Sequence, residues 1–218
     1  MSSVRFHLFS PIFLAEHITL SYLVTTLSNR TYTMYIFQLI AFLFVVGCSA
    51  DTTVNNKTFD ELIQQSTIIV PVSNPELEKK HEASTLLISC VDFRLRDETD
   101  KLMESCLSLL DDYDEIALPG ASLALVQTKY PHWSKTVKDL IGLIEKLHNI
   151  KRVIFLDHRG CGAYKLLQGK EHAATREKET HSHKVVFDKA REILKKEFPK
   201  LKVYTLLMGL DGVVENIQ

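Results

Sequence analysis

The stretch TLLISCVDFRLRDE, residues 85–98, decides the fold. Its first five residues run apolar without polar alternation, the pattern of a strand buried on both faces inside a parallel sheet. The chain then changes character and sets Cys90, Asp92 and Arg94 at alternate positions. KRVIFLD, residues 151–157, repeats the pattern and also runs into unusual chemistry, HRGCGAY. LKVYTLLM, residues 201–208, reads as a further strand, with Asp211-Gly212 as a tight turn before VVENI. A shorter strand, Glu115 to Leu118, ends at a Pro-Gly turn.

Helical spacing fills the gaps. ETDKLMESCLSLL, residues 98–110, places Leu102, Met103, Cys106, Leu109 and Leu110 on one face, which makes the Cys106 thiol a packing group. SKTVKDLIGLIEKLH, residues 134–148, carries the stripe Val137, Leu140, Ile141, Ile144 and Leu147. A helix from Ser182 to Phe198 turns Val186, Ala190, Ile193 and Leu194 inward and stops at Pro199. Upstream, TFDELIQQS reads as a helix capped by Thr58 with Glu61 three positions on. PVSNPELEKKHEA, residues 71–83, reads as a connector with a short helix after Pro75. Strands alternating with helices imply crossover connections, so the fold class is α/β, a mostly parallel sheet flanked by helices.

The 218-residue chain carries a formal net charge of -1 and no long basic run, which gives no footprint for nucleic acid or an anionic membrane surface. Its four cysteines, Cys48, Cys90, Cys106 and Cys161, are too sparse for a disulfide scaffold and direct attention to metal binding or catalysis. No internal repeat or low-complexity tract is present.

Residues 1–50 read as a leader, 51–83 as a helical arm and linker, and 84–218 as the functional domain. MYIFQLIAFLFVVG, residues 34–47, falls short of the roughly 20 residues of a spanning helix and fits the apolar part of a signal peptide. Its end, VVGC, resembles a bacterial lipoprotein signal with Cys48 as lipid anchor, implying export to the periplasm or a membrane surface. Reading from Met1 makes the leader long, and reading from Met34 leaves no basic residue ahead of the apolar run. An uncleaved N-terminal anchor or a disordered leader stands as the alternative, with the protein otherwise cytoplasmic.

In an open parallel sheet, ligands bind beyond the carboxyl ends of the strands. Cys90 ends one buried strand, and His158 with Cys161 ends another. Two thiolates and one imidazole form a known three-residue set for Zn2+ with an open fourth position. His-x-x-Cys lets both side chains turn one way across a single turn, and Gly160 and Gly162 permit that path. A helix starting near Ala163 favours the Cys161 thiolate. Each motif has a plainer reading alone, Cys90 as a small core residue and His158 as a hydrogen-bonded histidine. Asp92 and Arg94, two apart in an extended segment, lie on the side of Cys90. A carboxylate fixed by the guanidinium could approach the metal or accept a hydrogen bond beside it. A simple surface ion pair is the alternative.

Cys90-x-Asp92-x-Arg94 followed by His158-x-x-Cys161-Gly162 resembles the β-class carbonic anhydrases, over roughly residues 84–215. The resemblance implies Cys90, His158 and Cys161 as zinc ligands and Asp92 with Arg94 as a catalytic dyad. It implies interconversion of CO2 and bicarbonate by a metal-bound hydroxide that the dyad orients, and a homodimer or higher homo-oligomer embraced by N-terminal helices. In some members the aspartate equivalent to Asp92 occupies the fourth zinc position. One segment departs from the family, LPGAS, residues 118–122, where an arginine-asparagine-alanine-glycine type run is usual. Relatives on this scaffold hydrolyse carbonyl sulfide or carbon disulfide, so such a hydrolase is the alternative activity, and a non-catalytic zinc or redox thiol protein is the alternative class. The Cys-x5-Arg spacing from Cys90 to Arg96 also matches cysteine phosphatases, but the loop lacks glycine and holds acidic Asp92. His132, His172, His181 and His183 read as solvated histidines.

Overall fold

The structure, a computed structural model, describes residues 59–64, 70, 72 and 74–218. The chain divides into two units, Met1–Ser73 and Asn74–Gln218. The apolar run 34–47, Cys48 and the Thr58 cap lie outside the described residues. Within the first unit, α1 spans Phe59–Ile63.

In the second unit a five-residue 3-10 turn, Pro75–Lys79, is capped by Asn74, whose side chain accepts the Glu76 N–H at 3.1 Å. The strands are β1 Thr85–Ser89, β2 Tyr113–Ala117, β3 Arg152–His158, β4 Lys202–Met208 and β5 Val214–Asn216. They form one sheet in the order β2-β1-β3-β4-β5. The first three pairings are parallel, and β5 returns antiparallel to β4 after the Asp211-Gly212 turn. The expected α/β class is borne out. From β1 the chain winds one way to β2, then crosses back so that β3 lies on the other side of β1. The carboxyl ends of β1 and β3 therefore flank the switch point of the sheet, where such folds open a crevice.

The helices are α2 Arg96–Asp100, α3 Ser122–Val126, α4 Pro131–His148, α5 Gly162–Gln168 and α6 Arg176–Glu197. One sheet face carries Leu86, Ile88, Val153, Phe155 and Leu207 against Val137 and Ile141 of α4 and Phe187, Ala190 and Leu194 of α6. The other carries Leu87, Ile154, Leu156 and Met208 against Leu95, Leu102, Met103 and Leu109. Odd and even residues of β3 thus separate cleanly onto the two faces, as the strand period requires.

Several expected elements differ. The helix expected over residues 98–110 begins at Arg96, becomes a π-helix over Lys101–Cys106 and ends there. The wider winding, closed by the Leu107 N–H to the Leu102 carbonyl at 2.9 Å, breaks the three-and-four stripe after Met103. Cys106 and Leu110 consequently face solvent, so Cys106 is not a packing group. Leu147 of α4 is likewise exposed. β2 starts two residues earlier than expected, at Tyr113, and α4 starts three earlier, with Pro131 in its first turn. α6 starts six residues earlier, because Thr175 caps it by accepting the Lys178 N–H at 3.2 Å.

Candidate metal centre

β1 delivers Cys90 one residue past its end, and β3 delivers His158 as its last residue. After His158 the chain turns through Gly160, at φ +67, a left-handed conformation that suits glycine. That turn brings Cys161 to the start of α5, and the three side chains, separated by up to 71 positions, converge. One donor atom from each of Cys90, His158 and Cys161 lies within 4.8 Å of the other two. The two sulfurs are 3.9 Å apart.

The donor set fits a divalent metal with sulfur and nitrogen affinity. His158 is 2% exposed, and its Nδ1–H donates to the Arg159 carbonyl at 2.9 Å. That bond fixes the tautomer and leaves Nε2 as a lone-pair donor. Nε2 is buried and has no hydrogen-bond partner among the described residues. A buried acceptor without a partner is costly, and a metal satisfies it.

The hydrogen bond from the Cys161 thiol lowers the Cys90 thiol to about 4, against burial, with help from His158 and the Gly120 N–H. The Gly120 nitrogen lies 3.4 Å from Cys90 Sγ. The same contact with Cys90, joined by burial, pushes the Cys161 thiol up. Burial pulls the His158 imidazole down, but the nearby Cys90 thiolate, with the Arg159 carbonyl and Asp92, outweighs it and the net direction is up.

Asp92 and Arg94 meet, though not in an extended segment. The chain turns at Asp92 into a 3-10 turn, Phe93–Leu95, because the Asp92 carboxylate caps it, accepting the Arg94 N–H at 3.1 Å. The Arg94 side chain then folds back, its Nε and Nη2 donating to the two carboxylate oxygens at 2.8 and 2.6 Å. This fork holds the Asp92 carboxyl at about 2. Asp92 Oδ2 sits 3.6 Å from His158 Nε2, so the dyad faces the same point as the three donors. Beside it a cavity of about 10 Å³ is walled by Leu95, Leu156 and Met208, room for about one water-sized sphere. A hollow of about 580 Å³ bordered by His172, His181 and Val185 lies elsewhere and touches none of these groups.

Two features around the centre escape the motif reading. Arg159, 6% exposed, sends Nη1 to Glu179 at 3.3 Å and Nη2 to Thr180 at 2.8 Å, and also pairs with Glu215. Glu179 in turn accepts the Gly160 N–H at 2.7 Å, so α6 grips the turn between His158 and Cys161. His183 is not solvated. It is fully buried, its Nδ1 2.9 Å from Asp157 Oδ2. Its place on the inward face of α6, three and four residues before Val186 and Phe187, was the available signal.

A sequence profile described as "Putative carbonic anhydrase" matches residues 80–218. An uncharacterized protein of Rickettsia conorii is 58% identical over 158 residues, 72% of this chain and 84% of that protein. One of Rickettsia bellii is 60% identical over 156 residues, 72% of this chain and 94% of that protein. Among solved structures, a carbonic anhydrase from Streptococcus mutans aligns over 88% of this chain and 99% of its own, with 12% identity and TM-score 0.44. The β-carbonic anhydrase CafA of Aspergillus fumigatus aligns over 66% of this chain and 79% of its own, with 15% identity and TM-score 0.46. With structural scores this low, membership rests on the sequence matches.

Proposed function

Because the chain belongs to the carbonic anhydrase family whose profile spans residues 80–218, we propose that it interconverts CO2 and bicarbonate, with one zinc ion held by Cys90, His158 and Cys161. Bound there, zinc would supply Lewis-acid activation of a solvent molecule near neutral pH. The convergence of the three donor atoms within 4.8 Å, with the buried His158 Nε2 otherwise unpartnered, carries this reading.

The chain's own groups account for orientation. Asp92, held at about 2 by Arg94, is ionised throughout the working range, so its Oδ2 acts only as an acceptor. It would accept a hydrogen bond from the attacking solvent oxygen, without taking its proton, and so turn a lone pair toward the CO2 carbon. Arg94 keeps that carboxylate in one direction through its two-point contact. Leu95, Leu156 and Met208 offer an apolar wall to an uncharged linear substrate and exclude bulk water from the reacting atoms. Water and CO2 give bicarbonate and a proton, and the proton passes to solvent.

Stopped-flow CO2 hydration with zinc-loaded, thiol-reduced protein tests the reading. The expected result is catalysis above the buffer rate that disappears on chelation and returns with zinc. Full zinc loading without hydration would refute the reaction, and a parallel assay with carbonyl sulfide would show whether that substrate is turned over instead. The homo-oligomer belongs to the same reading and is checked by light scattering.

A further inference from the structure

We propose that Asp157 is a positioning residue of the candidate metal centre, a buried carboxylate that sets the places from which Cys90, His158 and Cys161 reach one ion. The proposal rests on the metal-binding reading above and adds to it a residue whose carboxylate is hydrogen-bonded to Ser122, Tyr164 and His183 rather than to any of the three donors.

Asp157 precedes His158 in β3 but projects to the opposite face of the sheet, the side of Val153 and Phe155. It is 1% exposed and accepts four hydrogen bonds. Oδ1 takes the Ser122 N–H at 3.0 Å, and Oδ2 takes the Ser122 hydroxyl at 2.7 Å, the Tyr164 hydroxyl at 2.5 Å and His183 Nδ1–H at 2.9 Å. Ser122, Tyr164 and His183 are each fully buried.

The donors come from the segments that carry the centre. Ser122 opens α3 after Ala121, one residue past the Pro119-Gly120 turn, whose Gly120 N–H faces Cys90 Sγ at 3.4 Å. Tyr164 lies in the first turn of α5, the helix capped by Cys161. His183 ties in α6, whose Glu179 accepts the Gly160 N–H at 2.7 Å. Asp157 itself is the next-to-last residue of β3, directly before His158.

The backbone shows that this arrangement is imposed. Ala121, 1% exposed, sits at φ 45, ψ -105, where an alanine is strained. Such a conformation persists only where the surroundings over-determine it. The paired bonds from Ser122 to Asp157 are that constraint, and they aim the Gly120 amide. A residue needed only for filling would be apolar here, since burying a carboxylate costs more than burying a hydrocarbon of similar size.

Cobalt substitution tests the proposal, because the thiolate-to-cobalt charge-transfer band reports how many sulfurs bind. Asp157→Asn puts an NH2 group opposite the hydroxyl and N–H donors. Ser122→Ala and Tyr164→Phe each delete a donor and perturb less. In folded protein, checked by circular dichroism, Asp157→Asn should bind cobalt about tenfold more weakly and lose charge-transfer intensity. The two milder variants should shift affinity several-fold in the same direction, and they decide the matter if Asp157→Asn fails to fold. A role confined to stability would lower the melting temperature while leaving the spectrum and affinity of folded protein unchanged, and that outcome overturns the proposal. If the parent protein does not bind cobalt through both sulfurs, the metal-binding reading fails first and takes this proposal with it.

Discussion

Replacing Arg159 by methionine keeps most of the side chain's stem and removes its charge from a site that is 6% exposed. The two carboxylates it serves then fare differently. Glu215 is partly exposed and keeps Arg176 Nη2 at 3.2 Å, so it loses little. Glu179 is 8% exposed and loses its cation, retaining the Gly160 N–H at 2.7 Å. Stranding one partner of a buried pair costs about 3 kcal/mol or more. For a unit of this size that corresponds to a melting temperature lowered by about 6–12 °C. Urea unfolding of reduced, metal-free protein at neutral pH measures it. Arg159→Met with Glu179→Gln should recover at least about 1 kcal/mol, since no charge is left stranded. The pH dependence has a definite sign. Arg159 holds the Glu215 carboxyl below its ordinary value of 4.5, so this part of the stability is complete above that value and fades as pH falls through the lowered one. The smaller part of the gap, that from Glu215, should therefore narrow in acid. A single variant within about 0.5 kcal/mol of the parent at neutral pH would refute the reasoning, as would a double variant no more stable than the single.

Asp92→Asn should bind zinc at the parent's stoichiometry yet slow CO2 hydration by about a hundredfold or more, and a rate within a few-fold of the parent would remove Asp92 from the chemistry. With Cys90 lowered to about 4 and Cys161 raised, zinc binding near neutral pH should release about one proton from the sulfur pair. Affinity then rises about tenfold per pH unit, more steeply below the titration of His158, and calorimetry in buffers of different ionisation enthalpy counts the protons. Ala121→Gly relieves the backbone at φ 45 and should leave stability unchanged or raise it by up to about 1 kcal/mol, whereas an unstrained buried alanine would lose about that much. Chemical denaturation distinguishes the two.

β1 and β3 were legible because both faces are buried, and an unbroken apolar run has few other structural solutions. β1 matches its expected span, Thr85 to Ser89, and β3 runs one residue past the expected end. The three donors were legible because cysteine is rare in this chain and the two motifs end equivalent strands. The turn at Phe93–Leu95 was hidden because alternate spacing suggests extension, while the Asp92 side chain caps a turn, a local competition that residue spacing does not register. The π-helix over Lys101–Cys106 left no signal in an apolar periodicity that an α-helix satisfies equally well. Asp157 did leave one. A lone acid inside VIFLD has to find partners when the strand is buried, and those partners, Ser122, Tyr164 and His183, are too scattered in sequence to be named in advance.

The most direct test of a metal held by Cys90, His158 and Cys161 is X-ray absorption at the zinc edge of the zinc-loaded, reduced protein. The account predicts two sulfurs and one imidazole nitrogen in the inner shell, with Cys161→Ser removing one of the sulfurs. An inner shell without sulfur, or one unchanged in Cys161→Ser, would contradict it.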